Sequence, residues 1–205
     1  MATRVALLVF EGCDLLDLGG PYEVLLTANR LATRRGEEPP FEVVTVATTD
    51  APVHAYGGLG LLAQQRVEDL DHLDVVVVPG LIDVPRATGD PALVAAVRTL
   101  AGRAPLAVSV CTGAFLLAEA GLLRGLPATT HHEDLDDLRR RDDVGEVVEH
   151  RRWVDAGDVV TGGGLSSGLD LGLHLVERLA GRQLATATAR QIEHPWNPDG
   201  DHDTI

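Results

Sequence analysis

The chain has 205 residues, a length that suits one compact α/β domain better than a multidomain enzyme. Asp and Glu outnumber Lys and Arg by 31 to 17, and the net charge of −14 makes nucleic acid and anionic membrane surfaces poor partners. Only 3% of the residues are aromatic, so Val, Leu and Ala must build the core. The apolar run from Val5 to Phe10 is too short for a signal peptide or a membrane span, and a cytoplasmic location is expected.

Short apolar runs alternate with helical patterns along the chain, which predicts a doubly wound, mostly parallel sheet with helices on both faces. The predicted strands are 5–10, 41–47, 75–78 and 106–110. The predicted helices are 21–31, 91–101, 113–120, 135–141 and 169–180.

Two segments break this alternation, and both are expected to decorate the single domain. Residues 53–62 have the pattern of a small antiparallel excursion, and residues 153–161 have that of a β-hairpin on an Ala156-Gly157 turn. The core is expected to span about 4–192 of the 205 residues, followed by a flexible acidic tail over 193–205.

Cys111 directly follows the fourth predicted strand, and a helical pattern begins at Gly113. Functional groups collect at the carboxyl ends of parallel strands, and a cysteine in a sharp strand-to-helix turn has the geometry of a nucleophile elbow. The positive end of a helix lowers a cysteine pKa from about 8.5 towards about 4 to 7, so a thiolate is expected at neutral pH. The alternative is a small buried hydrophobe, which is more usual in the middle of an element.

Three carboxyl groups follow the first predicted strand, at Glu11, Asp14 and Asp17. The leucines around Asp17 indicate that this side chain turns inward. A carboxyl group desolvated beside a thiolate has a raised pKa, which makes it a candidate proton donor and then a base. Helix capping by Asp14 or Asp17 is the ordinary alternative.

Gly80 and Leu81 follow the third predicted strand. Their main-chain N–H groups, together with the amide of Thr112, are candidates to hold a developing negative charge. Turn chemistry alone also explains Gly80.

Cys13, four residues before Asp17, has two interpretations: a buried small residue, or a redox partner that resolves an oxidised Cys111.

Two further patterns are weak. The imidazole and carboxyl groups of 131–134 and His150 lack the spacing of a zinc motif, and neighbours on an extended segment point apart, so only one of His131 and His132 should face the site. No metal is expected. The glycine run 162–164 lacks a phosphate-binding motif and predicts a tight strand-to-helix turn.

Five blocks in the right order resemble the ThiJ/PfpI superfamily over residues 4 to about 192. They are 10–24, 75–80, 110–123, 128–131 and 164–170. Within the superfamily, the block around Asp17 and the Cys111-Thr112 pair are similar to the isonitrile hydratase branch. The resemblance implies a glutamine-amidotransferase-like, flavodoxin-like α/β fold. Relatives proposed to be peptidases carry His directly after Cys, whereas Thr112 follows Cys111 here, so peptidase activity is not expected. The transcription regulators of the superfamily continue into a DNA-binding module, and residues 184–205 are expected to be too few to form one.

The resemblance also implies roles for individual residues. Cys111 is the nucleophile on a strained elbow and is hydrogen bonded to Asp17, Thr112 bears on the substrate, and His131 lies near the cysteine. It implies a homodimer that acts on a small electrophilic molecule without a cofactor. Two positions depart from the common pattern: Leu81 replaces the second glycine of Pro-Gly-Gly, and His132 replaces an aromatic residue.

Three functions follow as hypotheses. The leading one is cysteine-dependent hydration of an isonitrile to an N-substituted formamide through a thioimidate on Cys111. The second is a glutathione-independent glyoxalase-type reaction of the same sulfur with an α-oxoaldehyde, in which His131 moves protons. The third is a non-enzymatic sensor of small molecules or oxidative stress, whose Cys111 reacts with electrophiles. Fold membership does not choose among them.

Overall fold

A seven-stranded sheet forms the centre of the computed structural model, which describes residues 1–201. The strands are β1 (Thr3–Leu8), β2 (Phe41–Ala47), β3 (Val53–His54), β4 (Gly60–Leu61), β5 (Gln65–Arg66), β6 (Val75–Val78), β7 (Leu106–Ser109), β8 (Trp153–Asp155) and β9 (Val159–Gly162). The sheet order is β5-β2-β1-β6-β7-β9-β8, and every pair is parallel except β8 with β9. The predicted excursion is present as a separate antiparallel pair of β3 and β4.

Two groups of helices cover the sheet. The helices are α1 (Leu15–Arg34), α2 (Val84–Thr88), α3 (Pro91–Arg103), α4 (Gly113–Glu119), α5 (Leu135–Arg139), α6 (Ser167–Ala180) and α7 (Arg182–Gln191). Helices α1, α6 and α7 pack on one another, and α2, α3 and α4 form the second group. Right-handed crossovers from β1 to β2 and from β6 to β7 run in opposite directions, which places the groups on opposite faces. The predicted doubly wound architecture is therefore confirmed.

The core is aliphatic, as the composition predicts. The four valines of β6 are buried, and the largest fully buried side chains are all leucines. Burial on both faces is typical of parallel strands between two helix layers. Among the helices of residues 1–201, none combines the length and apolar character that a membrane span requires.

Helix α1 begins at Leu15, six residues before the predicted start at Pro21. Pro21 therefore lies inside the helix, where its missing N–H leaves the carbonyl group of Asp17 without its usual intrahelical partner. Packing of Leu18 and Val24 into the core outweighs this local cost. As a consequence, Asp17 lies in the first turn of the helix and not in a loop.

The predicted hairpin at 153–161 is present, but the expectation that it decorates the domain is wrong. Its second strand, β9, pairs in parallel with β7, so both strands extend the central sheet. Helix α7 was not predicted, because most of its residues are polar and its buried face holds only Leu184, Ala185, Thr188 and Ala189.

Residues 193–201 differ from the expected flexible tail. Trp196 packs against the core, Arg152 donates its main-chain N–H to the carbonyl group of Gly200 at 2.7 Å, and Arg151 pairs with Asp201 at 2.6 Å. The acidic composition predicted a solvated segment, but these partners come from elsewhere in the chain. The remaining four residues of the predicted tail, 202–205, lie outside the described residues.

Glycines allow α1 and α6 to cross closely. A Cβ on Gly20 would lie 3.3 Å from the carbonyl carbon of Gly168, and a Cβ on Gly172 would lie 3.0 Å from the Cβ of Val24. This close crossing brings the first turn of α1, which carries Asp17, next to the loop that precedes α6.

We expect Gly172→Ala to lower the free energy of unfolding by about 1–3 kcal/mol, because the added methyl group overpacks the crossing. Gly102→Ala in α3 is the matched control, since nothing lies within 4 Å of its added Cβ. That variant should gain up to about 1 kcal/mol from helix propensity. Urea titrations of both variants measure the difference, and equal stabilities would contradict the tight crossing.

Candidate active site

Cys111 occupies a strained elbow between β7 and α4. Its φ angle of +56° lies in the left-handed region, which side chains other than glycine rarely adopt. Its main-chain N–H donates to the carbonyl oxygen of Gly163 at 2.9 Å, and the Thr130 hydroxyl donates to the carbonyl oxygen of Cys111 at 2.9 Å. A Cβ at Gly113 would collide with the carbonyl oxygen of Val78. The sharp turn predicted at this cysteine is therefore present and is held from both sides.

Asp17 is fully buried and directed at the elbow. Its Oδ2 accepts a hydrogen bond from the main-chain N–H of Gly80 at 3.0 Å. The carboxyl group also interacts with the Cys111 thiol, although no regular hydrogen bond from residues 1–201 reaches Oδ1. A buried oxygen without a hydrogen-bond partner lowers the stability of the fold. This oxygen is available to exchange a proton with a bound molecule.

Two causes raise the pKa of Asp17 to about 7: burial is the larger, and the charge of Asp14 adds to it. The Gly80 N–H and the Cys111 thiol act in the opposite direction. The carboxyl group is therefore close to its midpoint at neutral pH, as expected of a group that both accepts and donates protons.

The protonation state of Cys111 differs from the predicted thiolate. Burial, followed by the charge of Asp17, raises the pKa of the thiol to about 12. Helix α4 has only seven residues, and desolvation beside a carboxyl group outweighs the effect of its positive end. In the free protein the thiol keeps its proton, and the nearest base for that proton is Asp17.

Two main-chain N–H groups, those of Leu165 and Thr112, hydrogen bond the Cys111 sulfur and oppose the rise of its pKa. Leu165 lies between β9 and α6 with a φ angle of +38°, a second strained residue at this site. Leu165 was not among the site residues predicted from the sequence. The glycine run 162–164 was the available signal, since glycines allow a main chain to approach a neighbour closely.

The expected charge-holding amides of Gly80 and Leu81 are already engaged. The Gly80 N–H donates to Asp17, and the Leu81 N–H donates to the Thr112 hydroxyl at 2.8 Å. That hydroxyl in turn donates to the Leu81 carbonyl oxygen at 2.6 Å. A Cβ at Gly80 would lie 2.7 Å from both Asp17 Oδ2 and Thr112 Oγ1. This loop therefore positions the acid and the threonine, and only the Thr112 amide of the predicted donors reaches the sulfur.

His131 lies beside this cluster. Its Nδ1 is 3.4 Å from an oxygen of Asp134, and its ring packs against Gly164, where a Cβ would collide with it. Burial raises the pKa of Asp14, and the neighbouring His131 acts in the opposite direction. The hydrogen-bond partners of the Cys111 sulfur are instead the main-chain amides of Leu165 and Thr112.

The expectation that only one of the two adjacent histidines faces the site is wrong. His132 begins a 3₁₀ turn, so the segment is not extended, and both rings line one pocket with centroids 4.4 Å apart.

Cys13 is a fully buried free thiol, whose pKa is raised mainly by burial. It forms an isolated β-bridge with Leu81, so it supports the loop that carries Gly80. Its role as a redox partner of Cys111 stays a prediction. Within the described part of the chain, no group of three His, Cys, Asp or Glu side chains converges on a position for a metal ion.

A pocket of about 490 Å³ adjoins the nucleophile. Cys111 itself is only 4% exposed, but Thr130 and Leu165, which both contact it, form part of the pocket wall. The lining residues are 129–132, 135, 149–152 and 163–167.

The chain belongs to the DJ-1/PfpI family, whose model matches residues 3–178. Isonitrile hydratase of Pseudomonas putida is 34% identical to it over 201 residues, or 98% of this chain and 82% of the relative. A ThiJ/PfpI family protein from Pseudomonas syringae has a TM-score of 0.83 at 28% identity, covering 97% of this chain and 77% of that one. Drosophila melanogaster DJ-1beta has a TM-score of 0.80 at 18% identity, and the match covers 96% of this chain and 100% of that one. At this identity the likeness supports the fold alone. The resemblance read from the sequence is thereby confirmed.

We expect Asp17→Asn to stabilise the protein increasingly as the pH rises from 4 to 8. The folded-state pKa of about 7 lies above the unfolded value of about 3.9. The wild type therefore loses stability between these two pH values, where the carboxyl group is ionised in the unfolded chain and still protonated in the folded one. Asparagine stays neutral and still accepts the Gly80 N–H. The difference in unfolding free energy between the two proteins should grow by up to about 4 kcal/mol over this range. Urea titrations at several pH values measure it, and a constant difference would contradict the raised pKa.

Proposed function

We propose that the protein hydrates isonitriles to N-substituted formamides, with Cys111 as nucleophile and Asp17 as the group that moves protons. The observation that carries the proposal is the buried Asp17 carboxyl group, with a pKa of about 7, against a thiol on a strained elbow. The 34% identity to an isonitrile hydratase, over 98% of the chain, supports the choice of substrate.

The first half of the reaction adds the thiol S–H across the terminal carbon of the isonitrile. The Asp17 carboxylate accepts the thiol proton while the sulfur forms its bond to the carbon. The protonated Asp17 then donates that proton to the same carbon. The product is a thioimidate, R–N=CH–S–Cys111, and Asp17 is again a carboxylate.

The second half hydrolyses the thioimidate. Asp17 takes a proton from water as the water oxygen attacks the carbon, and the proton passes to nitrogen. Collapse of the adduct forms the C=O bond, breaks the C–S bond and releases R–NH–CHO. The hydroxyl proton returns to the sulfur through Asp17. Charge develops on the departing sulfur, where the amides of Thr112 and Leu165 stabilise it.

Thr112 acts in this scheme through two groups. Its amide hydrogen bonds the sulfur, and its hydroxyl hydrogen bonds both the N–H and the carbonyl oxygen of Leu81.

The glyoxalase-type and sensor hypotheses stay predictions, as do the homodimer and the cytoplasmic location.

Cys111→Ala should lower formamide formation from an alkyl isonitrile by at least about 1000-fold, because no covalent intermediate forms. Cys13→Ala is the matched control and should retain most of the activity. Gas chromatography of the formamide measures both. Lactate from methylglyoxal without glutathione would instead favour the glyoxalase-type reaction, and Cys111 modification without either product would favour the sensor.

We expect kcat/KM for the isonitrile to rise with pH through a midpoint near 7. Because the pKa of Asp17 is raised to about 7, the carboxylate that accepts the thiol proton is scarce below that pH. Rates measured between pH 5 and 9, with the Cys111→Ala blank subtracted, test this. Asp17→Asn should lose about 100-fold or more. A flat profile, or a midpoint near 4, would exclude Asp17 from this role.

A further inference from the structure

Two arginines line the pocket beside Cys111 in a chain whose net charge is −14. Arg151 and Arg152 share the wall with the hydroxyl groups of Ser166 and Ser167. Among the described residues of this wall, Glu149 alone carries a carboxyl group, and it pairs with Arg139. The described pocket wall therefore carries two guanidinium groups and one carboxyl group, against the overall charge of the protein.

Arg152 forms an ion pair with the buried carboxyl group of Asp170. Its Nε donates to Oδ2 of Asp170 at 2.8 Å, and its Nη2 donates to the Ser166 hydroxyl at 3.0 Å. Asp170 lies in the first turn of α6 and is 4% exposed, and His194 lies 3.0 Å from its other oxygen. Because Asp170 is not a wall residue, the ion pair presents its positive end to the pocket.

The C-terminal segment holds Arg151 in a similar way. One terminal nitrogen of Arg151 donates to Asp201 and the other to the carbonyl oxygen of Asp199, each at 2.6 Å. Gly200 packs tightly under Trp153, where a Cβ would lie 2.9 Å from the ring. A guanidinium group has five N–H donors, and these two bonds leave donors of Arg151 for a ligand.

We propose that this pocket binds a carboxylate on the substituent of the substrate, so that the preferred substrates are isonitriles with an anionic side group. This rests on the proposed function. Guanidinium groups match a carboxylate in a planar, two-bond geometry.

The position of the pocket fits such a substrate. Thr130 and Leu165 are shared between the pocket wall and the surroundings of Cys111. An isonitrile group is linear and slender with its reactive carbon at the tip, so it suits a cysteine that is only 4% exposed. The bulkier substituent then occupies the pocket, and its carboxylate meets Arg151 and Arg152.

The first experiment compares an ω-isocyano carboxylate with its methyl ester. The wild type should prefer the carboxylate by about tenfold or more in kcat/KM. Arg151→Gln should lose that preference through KM, while the ester changes by less than about twofold. Arg182→Gln, which removes an exposed arginine of α7 that pairs with Glu177 of α6, is the matched control and should keep the preference. Arg151→Lys, which keeps the charge without the planar fork, should retain part of the preference.

The second experiment does not depend on turnover. Cys111→Ser protein is titrated calorimetrically with an N-formyl ω-amino carboxylate, the product of such a substrate, and with its methyl ester. The acid should bind about tenfold more tightly, and Arg151→Gln in the same background should abolish the difference. Equal affinities, or a preference that survives Arg151→Gln, would overturn the proposal. If the wild type hydrates no isonitrile while the acid still binds selectively, the proposed function fails and the carboxylate site stands.

Discussion

The desolvated carboxyl group of Asp17 against the thiol of Cys111 is the interaction on which the rest of the site depends. Burial raises both pKa values, so the thiol stays protonated at neutral pH while the carboxyl group is close to its midpoint. A carboxyl group with a pKa near 7 beside a neutral thiol can both accept and donate a proton at neutral pH. The chemistry proposed here moves that proton between sulfur, carbon, nitrogen and water.

The sheet order explains why these groups meet. Strands β1, β6 and β7 are neighbours, so the segments after their carboxyl ends lie side by side. The first segment leads into the α1 turn with Asp17, the second is the Gly80-Leu81 loop, and the third is the Cys111-Thr112 elbow. The loop hydrogen bonds to both of its neighbours, through the Gly80 amide and the Leu81 main chain, so all three segments form one unit.

The opposite side of the elbow is built from the end of β9 and the turn that leads into α6. The turn between β9 and α6 accepts the Cys111 N–H at Gly163 and supplies the Leu165 amide to the sulfur. The same turn lines the pocket beside Cys111, and Asp170 in α6 pairs with Arg152, another residue of the pocket wall. Reactivity and the recognition of the substituent are thus joined through one short loop.

The sequence alone determined the doubly wound class, the Cys111 elbow and the inward direction of Asp17, because apolar periodicity and strand-to-helix junctions are local signals. Partners distant in the chain decided the rest. The Gly80 and Leu81 amides are occupied by Asp17 and Thr112, and the sulfur is protonated because burial opposes a local helix effect. Residues 193–201 are held by Arg151 and by packing of Trp196. Desolvation and long-range hydrogen bonds depend on the whole packed chain, and no local pattern records them.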